Sequence, residues 1–204
     1  MQSPHAETAR RTSLLLIAGA LVACSASAPP EPEVGGARGR VEKPVAAPSS
    51  QIYTYRDAGL EARFFATPEV EKRKGMISDG LFLEATRVVA SDDHHAHVLT
   101  RMELQGADEY DCDRAIEGIV ERTLSDLGCL PIQNVGMTVS TIPARDVTFN
   151  CEPVPMRGAM RIICDTRGLE DGKVSAYSLL GAYDANRWSP SEAKAFFDGV
   201  KLPR

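Results

Sequence analysis

The sequence lacks an excess of positive charge, and this absence limits the partners that it can have. Its 204 residues carry a formal net charge of -5 at pH 7. Binding to nucleic-acid phosphates requires a basic surface, so we expect no nucleic-acid partner. With 43% hydrophobic and 25% charged residues, the composition is typical of a globular protein.

Motifs for catalysis and nucleotide binding are also missing. The chain contains no G-x-S-x-G, H-E-x-x-H, P-loop or G-x-G-x-x-G pattern. No nucleophile can be paired with a base from the sequence. We therefore expect that the protein is not an enzyme, and an envelope hydrolase is the least favoured function.

Long apolar runs are missing, apart from a short one near the N-terminus. Residues 14–22 are apolar, too few to span a bilayer, and they follow Arg10 and Arg11. A positive segment, a short apolar core and small residues are the pattern of a signal peptide. No run of about 18 apolar residues follows, so we expect no membrane-spanning helix in the rest of the chain.

The residues Leu21-Val22-Ala23-Cys24 resemble the lipobox of bacterial lipoproteins. The resemblance implies that residues 1–23 are a signal peptide, cleaved before Cys24, and that the Cys24 thiol carries a covalent lipid such as a palmitate-containing diacylglycerol. Ser25, rather than an Asp, follows the cysteine, which implies the periplasmic face of the outer membrane. The alternative is a plain secretory signal, cleaved nearby at residues 26–28.

Residues 24–50 are rich in Ala, Pro, Gly and Ser and have almost no large apolar side chain. Such a segment cannot bury enough surface to offset its chain entropy, so it is predicted to be a disordered tether. From residue 51 to residue 204 the pattern is that of one folded domain, whose strand candidates are bounded by Gly, Asp and Pro. The predicted strands lie at 52–56, 60–66, 81–90, 96–104, 135–141, 144–150, 160–165 and 174–183.

Two helices interrupt this series of strands. The first has an apolar face from Ile116 to Leu127, can be capped by Asp111 or Asp113, and ends at Gly128. The second starts with the capping box Ser189-Pro190-Ser191-Glu192, and its predicted buried residues are Ala193, Phe196, Phe197 and Val200. Hairpins with two helices predict an α+β domain, a mainly antiparallel sheet with the helices packed on its faces.

Three stretches carry a resemblance to the PsbP/DcrB-like domains: YRDAGLEARFFATPEV (55–70), VSTIPARDVTF (139–149) and RWSPSEAKAFFDGVKL (187–202). The resemblance implies an α/β/α sandwich, and it brings no common catalytic residues. The chain departs from the family's apolar-Pro-Gly-x-acid turn, because Ala144 stands where that turn has Gly.

With Cys24 lipidated, four cysteines remain, and an even number in an exported protein predicts disulfides. A helix of about 16 residues would hold Cys112 and Cys129 about 25 Å apart, too far for a bond. The alternating directions of the elements place Cys112 and Cys164 at one end of the domain, and Cys129 and Cys151 at the other. We therefore predict the bonds Cys112–Cys164 and Cys129–Cys151. A zinc site or a reactive thiol is less favoured, since no C-x-x-C occurs.

Three of the four histidines lie within the sequence SDDHHAHV at 91–98. In a strand, His95 and His97 share a face and could present two imidazoles to a metal ion. The alternative is a solvated hairpin turn in which the two aspartates start the turn. The candidate ligands are Asp92, Asp93, His94, His95 and His97.

These features predict a lipid-anchored protein of the cell envelope that acts as a binding or scaffolding module. Its expected partners are the membrane, through the N-terminal lipid, and an unknown envelope protein or small ligand. Apart from the covalent lipid we expect no cofactor. The alternative function is a periplasmic metal-binding protein that uses the turn at His94–His97.

Overall fold

A computed structural model describes residues 52–78, 80–152 and 154–203, and every structural statement below refers to them. The predicted signal peptide (1–23), the tether (24–50) and Cys24 lie outside the described residues. None of the helices in the described ranges has the length and apolarity needed to cross a membrane.

Seven strands form one antiparallel sheet in the order β3-β4-β5-β9-β8-β7-β6, and β1 and β2 form a separate hairpin. This confirms the prediction of a mainly antiparallel sheet with two α-helices. A short 3-10 helix at Leu169–Asp171 joins β8 to β9. The elements are β1 (Tyr53–Asp57), β2 (Leu60–Phe64), β3 (Glu69–Ser78), β4 (Leu81–Ser91), β5 (His95–Gln105), α1 (Cys112–Leu127), β6 (Cys129–Val139), β7 (Ile142–Cys151), β8 (Met156–Asp165), β9 (Lys173–Asp184) and α2 (Pro190–Asp198).

The edge strand β3 is absent from the sequence prediction. Five of its first six residues are charged, from Glu69 to Lys74, so it shows little of the apolar alternation that marks a buried strand. It nevertheless pairs along β4, and Lys74 contacts Glu84 of β4 at 2.7 Å. Charged side chains are typical of an exposed edge, where they oppose pairing with another chain.

The other edge strand, β6, begins at Cys129 rather than near Val135. Pro131 argues against a strand over the first residues of β6, so the sequence pattern does not predict one there. A proline is nevertheless tolerated in an edge strand because its missing N–H can face solvent. The ladder with β7 shifts by one residue between Pro131 and Gln133. The turn from β6 to β7 lies at Ser140-Thr141, as predicted.

The helix α1 has the two caps that its sequence predicts. The Asp111 side chain accepts a hydrogen bond from the backbone N–H of Arg114 at 3.1 Å. Gly128 ends the helix at φ 64°, a left-handed conformation that glycine adopts without a Cβ penalty. Ile116, Val120 and Leu124 are buried against the sheet.

The helix α2 ends at Asp198, two residues before Val200, the last residue of its predicted buried stripe. Ser189 caps it, with its Oγ accepting from the backbone N–H of Glu192 at 3.4 Å, and Pro190 is the first helical residue. Ala193, Phe196 and Phe197 are buried as expected. Val200 follows the end of the helix and is only partly buried, although it packs against the same core.

The two faces of the sheet are covered differently. On one face α1 packs over β6, β7 and β8. On the opposite face α2 and the hairpin β1–β2 bury a second core around Phe64, Leu99 and Tyr177. The layers are therefore helix, sheet, and a mixed layer of helix and hairpin, which fits the predicted sandwich.

Two disulfides join these layers and strands. Cys112, the first residue of α1, bonds Cys164 of β8. Cys129 bonds Cys151, which lies directly opposite it in the β6–β7 ladder. These are the two pairs that the sequence predicts.

Candidate binding groove

A groove of about 770 Å³ lies beside α1, on the face of the sheet that α1 only partly covers. It forms because α1 lies over β6–β8, and no helix within the described ranges lies over the same face of β4 and β5. We call this cavity the α1 groove: its wall is α1 and its floor consists of β4, β5 and β9. The floor residues are Leu83, Arg87, Val98, Thr100, Met102, Leu104, Ala176, Ser178 and Leu180.

The register of the strands determines how the side chains are arranged on the floor of the groove. In β5 and β9 every second residue points toward α1, so rows of side chains cross the floor from strand to strand. Most of these rows are apolar, such as Met102 opposite Ala176 and Val98 opposite Leu180. The row between these two is polar, and its β5–β9 pair is Thr100 opposite Ser178.

The wall contains a glycine in the middle of a helix. Gly118 lines the groove, and a Cβ built on it would have no atom of the described residues within 4 Å apart from its chain neighbours and the adjacent backbone of α1. Glycine in a helix interior destabilises a protein by about 0.5–1 kcal/mol relative to alanine. Neither a positive φ nor a close contact within the described residues requires glycine here, and its missing side chain leaves open space at this point of the wall.

Charged residues of both signs stand on the wall. Arg122 contacts Asp126 at 3.0 Å, and Glu117 lies 4.0 Å from Arg145, outside the groove. Arg114 and Glu121 are exposed on α1. The acidic groups are therefore on the helix, and the described floor residues include one charged side chain, Arg87.

A second cavity, of about 580 Å³, lies on the opposite face of the sheet, where β5 meets α2. We call it the histidine pocket, and its central residues are Phe65, His95, His97, Tyr183 and Phe196. The His95 ring stacks on Phe65, with centroids 3.7 Å apart, and the His97 ring stacks on Phe196 at 4.2 Å. The predicted shared face of His95 and His97 is confirmed, and it is packed with aromatic rings.

His97 is a core residue that is 9% exposed. Its Nε2 lies 2.7 Å from the hydroxyl of Tyr183. Burial, more than the nearby His95, lowers the pKa of His97 to about 4, against the opposing effect of Asp92. The imidazole is therefore neutral near pH 7, and the picture of a wholly solvated turn is wrong for this residue.

The other predicted metal ligands are held by different partners. The His94 Nδ1 lies 3.0 Å from Asp184, and the His95 Nδ1 lies 2.9 Å from Asp92. Asp92 also accepts from the backbone N–H groups of His94 and His95, while Asp93 is exposed. Within the described ranges no three His, Cys, Asp or Glu side chains are grouped to hold a metal ion. Metal binding at this turn stays a prediction.

Sequence reasoning did not find the α1 groove. The sequence features that could have indicated it are weak: a glycine in the interior of a helix and two small hydroxyl residues in apolar strands. Gly118 reads as an ordinary surface position, and Thr100 and Ser178 read as tolerated strand residues. Their common location appears only when the register of β5 and β9 is known.

The fold is similar to that of a solved protein from a cyanobacterium. The solution structure of cyanobacterial PsbP (CyanoP) from Synechocystis sp. PCC 6803 superposes with a TM-score of 0.50, 12% sequence identity, and coverage of 79% of this chain and 98% of that chain. The sequence matches no protein-family profile and no curated protein. At this identity the likeness shows the fold alone, and it confirms a PsbP-like fold for the domain.

Proposed function

We propose that the protein is a lipid-anchored binding module of the cell envelope and that the α1 groove is its ligand site. The observation that carries the site is the pairing of a cavity of about 770 Å³ with a glycine in its helical wall. Small-molecule sites are mostly apolar clefts of about 300–1,000 Å³ with a few convergent polar groups. The α1 groove has this size, an apolar floor and one polar row. The proposal includes no catalytic step.

The proposed location rests on the N-terminal sequence together with the disulfides. The lipobox-like residues 21–24 would place acyl chains on Cys24, and two or three chains anchor a protein stably where one does not. Two disulfides are typical of a protein that folds outside the reducing cytosol. The serine after Cys24 favours the outer membrane, with the domain held at its periplasmic face by the tether.

The anchor can be tested by removing the thiol. Cells that express the chain with Cys24→Ser should show no palmitate label on it, and this chain should no longer sediment with the outer membrane. The native chain should be labelled and sediment with the outer membrane on a density gradient. A Ser25→Ala variant is the control and should behave as the native chain. An unlabelled native chain, or a Cys24→Ser chain that still sediments with the outer membrane, would contradict the anchor.

The groove can be tested by filling it from the wall. The neutral fluorescent probe N-phenyl-1-naphthylamine should bind the full-length Cys24→Ser chain, which lacks acyl chains. A Gly118→Trp variant places an indole ring in the groove and should weaken binding about tenfold or more, a loss of at least about 1.4 kcal/mol. The measurement is a fluorescence titration.

Two variants control this test. Asp113→Trp puts the same ring on α1 outside the groove and should leave the probe affinity unchanged. Gly118→Ala adds one methyl group and should raise the free energy of unfolding by about 0.5–1 kcal/mol. Absence of probe binding to the parent chain, or equal binding by Gly118→Trp, would exclude the α1 groove as the ligand site.

A further inference from the structure

The edge strand β6 lacks the charges that protect the other edge of the sheet. Its sequence, CLPIQNVGMTV, contains no charged residue, whereas five of the first six residues of β3 are charged. The residues at 130–136 are all exposed, and among them are the large apolar side chains of Leu130, Ile132 and Val135. A long, exposed and uncharged edge strand is a site for pairing with another strand.

The hairpin of β6 and β7 shows which backbone groups of β6 are free. Ser140 and Thr141, both at positive φ, form its two-residue turn, and a hydrogen bond joins the residues on either side of such a turn. Bonded and non-bonded pairs alternate along an antiparallel ladder, so from residue 139 back to residue 133 the odd-numbered residues bond β7. The N–H and C=O groups of Asn134, Gly136 and Thr138 therefore point away from β7, where no described strand lies.

A second copy of β6 fits these free backbone groups. If two β6 strands pair antiparallel about a two-fold axis at Gly136, this residue lies opposite itself, and Asn134 lies opposite Thr138 of the second copy. All three outward residues then pair with outward residues, which gives about six backbone hydrogen bonds. Any other axis would pair at least one of the three with a residue outside this set.

The side chains are also compatible in this register. On one face of the sheet Val135 lies opposite Met137 of the second copy, so apolar side chains meet. On the other face Asn134 and Thr138 lie opposite each other, and their side chains can donate and accept hydrogen bonds. Because β6 carries no charge, the pairing brings no like charges together.

We propose that two copies of the chain dimerise by antiparallel pairing of their β6 strands about an axis at Gly136. The pairing joins the two seven-stranded sheets edge to edge into one continuous sheet. The contact follows a single strand and is narrow, so the dimer belongs to the weak class of protein interfaces. It involves neither the α1 groove nor the lipid anchor, and it goes beyond the proposed function.

A cysteine at the axis tests the pairing. In the full-length Cys24→Ser chain the other cysteines are bonded in pairs, so Gly136→Cys adds a single free thiol. The Cα atoms of a hydrogen-bonded pair lie about 5.5 Å apart, within the range that a disulfide spans. Under mild oxidation Gly136→Cys should form disulfide-linked dimers about tenfold or more faster than Gly75→Cys, because pairing raises the effective concentration of the thiols.

Gly75→Cys is the matched control, because Gly75 lies within the opposite edge strand β3. Neither Gly75 nor Gly136 has a positive φ, and a Cβ built on either would have no atom of the described residues within 4 Å apart from its chain neighbours. Both variants should therefore fold, and the measurement is a gel run without reductant. Equal rates for Gly136→Cys and Gly75→Cys would overturn the proposal.

A charge beside the axis should oppose the pairing. Val135→Lys, added to Gly136→Cys, brings two ammonium groups together across the axis and should slow dimer formation to the rate of Gly75→Cys. Val70→Lys, added to Gly136→Cys, is its control, because Val70 lies on the opposite edge and is 47% exposed, against 45% for Val135. This control should keep the rate of Gly136→Cys. A rate that Val135→Lys leaves unchanged would overturn the proposal.

Amide hydrogen exchange tests the pairing without a change in β6. In the Cys24→Ser chain, exchange at Asn134, Gly136 and Thr138 should slow as the protein concentration is raised, because the dimer bonds these N–H groups. Exchange in β3 should not depend on concentration. Slow exchange at the three positions at every concentration would mean that another part of the chain covers the edge, and fast exchange at every concentration would mean that nothing does. Either result would overturn the dimer.

Discussion

Removal of both disulfides should lower the free energy of unfolding by about 6–7 kcal/mol and leave the domain mostly unfolded at 37 °C. On the loop-entropy account, the bond across 52 residues, Cys112–Cys164, contributes about 4 kcal/mol. The bond across 22 residues, Cys129–Cys151, contributes about 3 kcal/mol. The second loop lies within the first, so the two contributions add less than fully.

The measurement is urea unfolding followed by circular dichroism, in a Cys24→Ser background so that no other thiol interferes. The variants are the pair Cys112→Ala and Cys164→Ala, the pair Cys129→Ala and Cys151→Ala, and all four together. A reductant should shift the midpoint of the parent chain and have no effect on the fourfold variant, which is the matched control. An unchanged midpoint for the reduced parent would contradict the assignment of the stability to these bonds.

The two disulfides should also differ in the part of the structure that each stabilises. Cys129–Cys151 secures the start of the edge strand β6, which has a neighbour on one side only. Its loss should speed amide hydrogen exchange in β6 first. Cys112–Cys164 fixes the N-terminal end of α1, which is the wall of the α1 groove. Its loss should weaken probe binding even in conditions where the domain stays folded.

The cysteine pairing illustrates what a sequence can supply. The pairing follows if each successive strand or helix runs in the direction opposite to the one before it. The structure agrees, because neighbouring strands of the described sheet are antiparallel and α1 runs from one end of the domain to the other. The helix caps at Asp111, Gly128 and Ser189 were equally local, because each depends on one side chain or one backbone conformation. Signals of this kind need no knowledge of distant contacts.

The missed features depend on distant contacts. β3 becomes a strand because β4 offers it a free edge, and its charged side chains tolerate that position without predicting it. The depth of His97 depends on α2 placing Phe196 over it, from a segment almost a hundred positions further along the chain. The α1 groove depends on which half of the sheet α1 covers, and the helical periodicity of α1 does not contain that information.

The stability of the domain should fall as the pH is lowered from about 6.5 to about 4, by up to about 3 kcal/mol, because of His97. In the folded state the pKa of His97 is lowered to about 4. An unfolded histidine titrates near 6.5, so between these pH values the unfolded chain binds a proton that the folded chain does not. Stability is therefore fully present above pH 6.5 and declines below it.

The groups around His97 do little to stabilise its protonated, charged form. The ring lies against Phe196, and its Nε2 contacts the hydroxyl of Tyr183, whose own pKa is raised by burial. The charged groups that act nearby are His95 and Asp92, and Glu192 of α2 acts on Tyr183. Hydrogen bonds to cationic side chains lower the pKa values of the carboxyl groups of Glu61, Asp57, Asp165 and Asp198. The stability that these pairs contribute is lost as the pH falls toward and through the unfolded values of 4.5 for Glu61 and 3.8 for the aspartates, so they add to the decline only at the acid end of this window, below about pH 5.

The test is urea unfolding at several pH values between 4 and 7. The introduced glutamine cannot titrate, so His97→Gln should give a nearly constant free energy of unfolding between pH 7 and about pH 5, although it loses the stacking on Phe196 and starts from a lower value. His94→Gln changes an exposed histidine of the same turn and should keep the decline of the native chain. Constant stability of the native chain between pH 7 and pH 5, or an equal decline of His97→Gln over that interval, would show that His97 is not the group whose protonation lowers the stability.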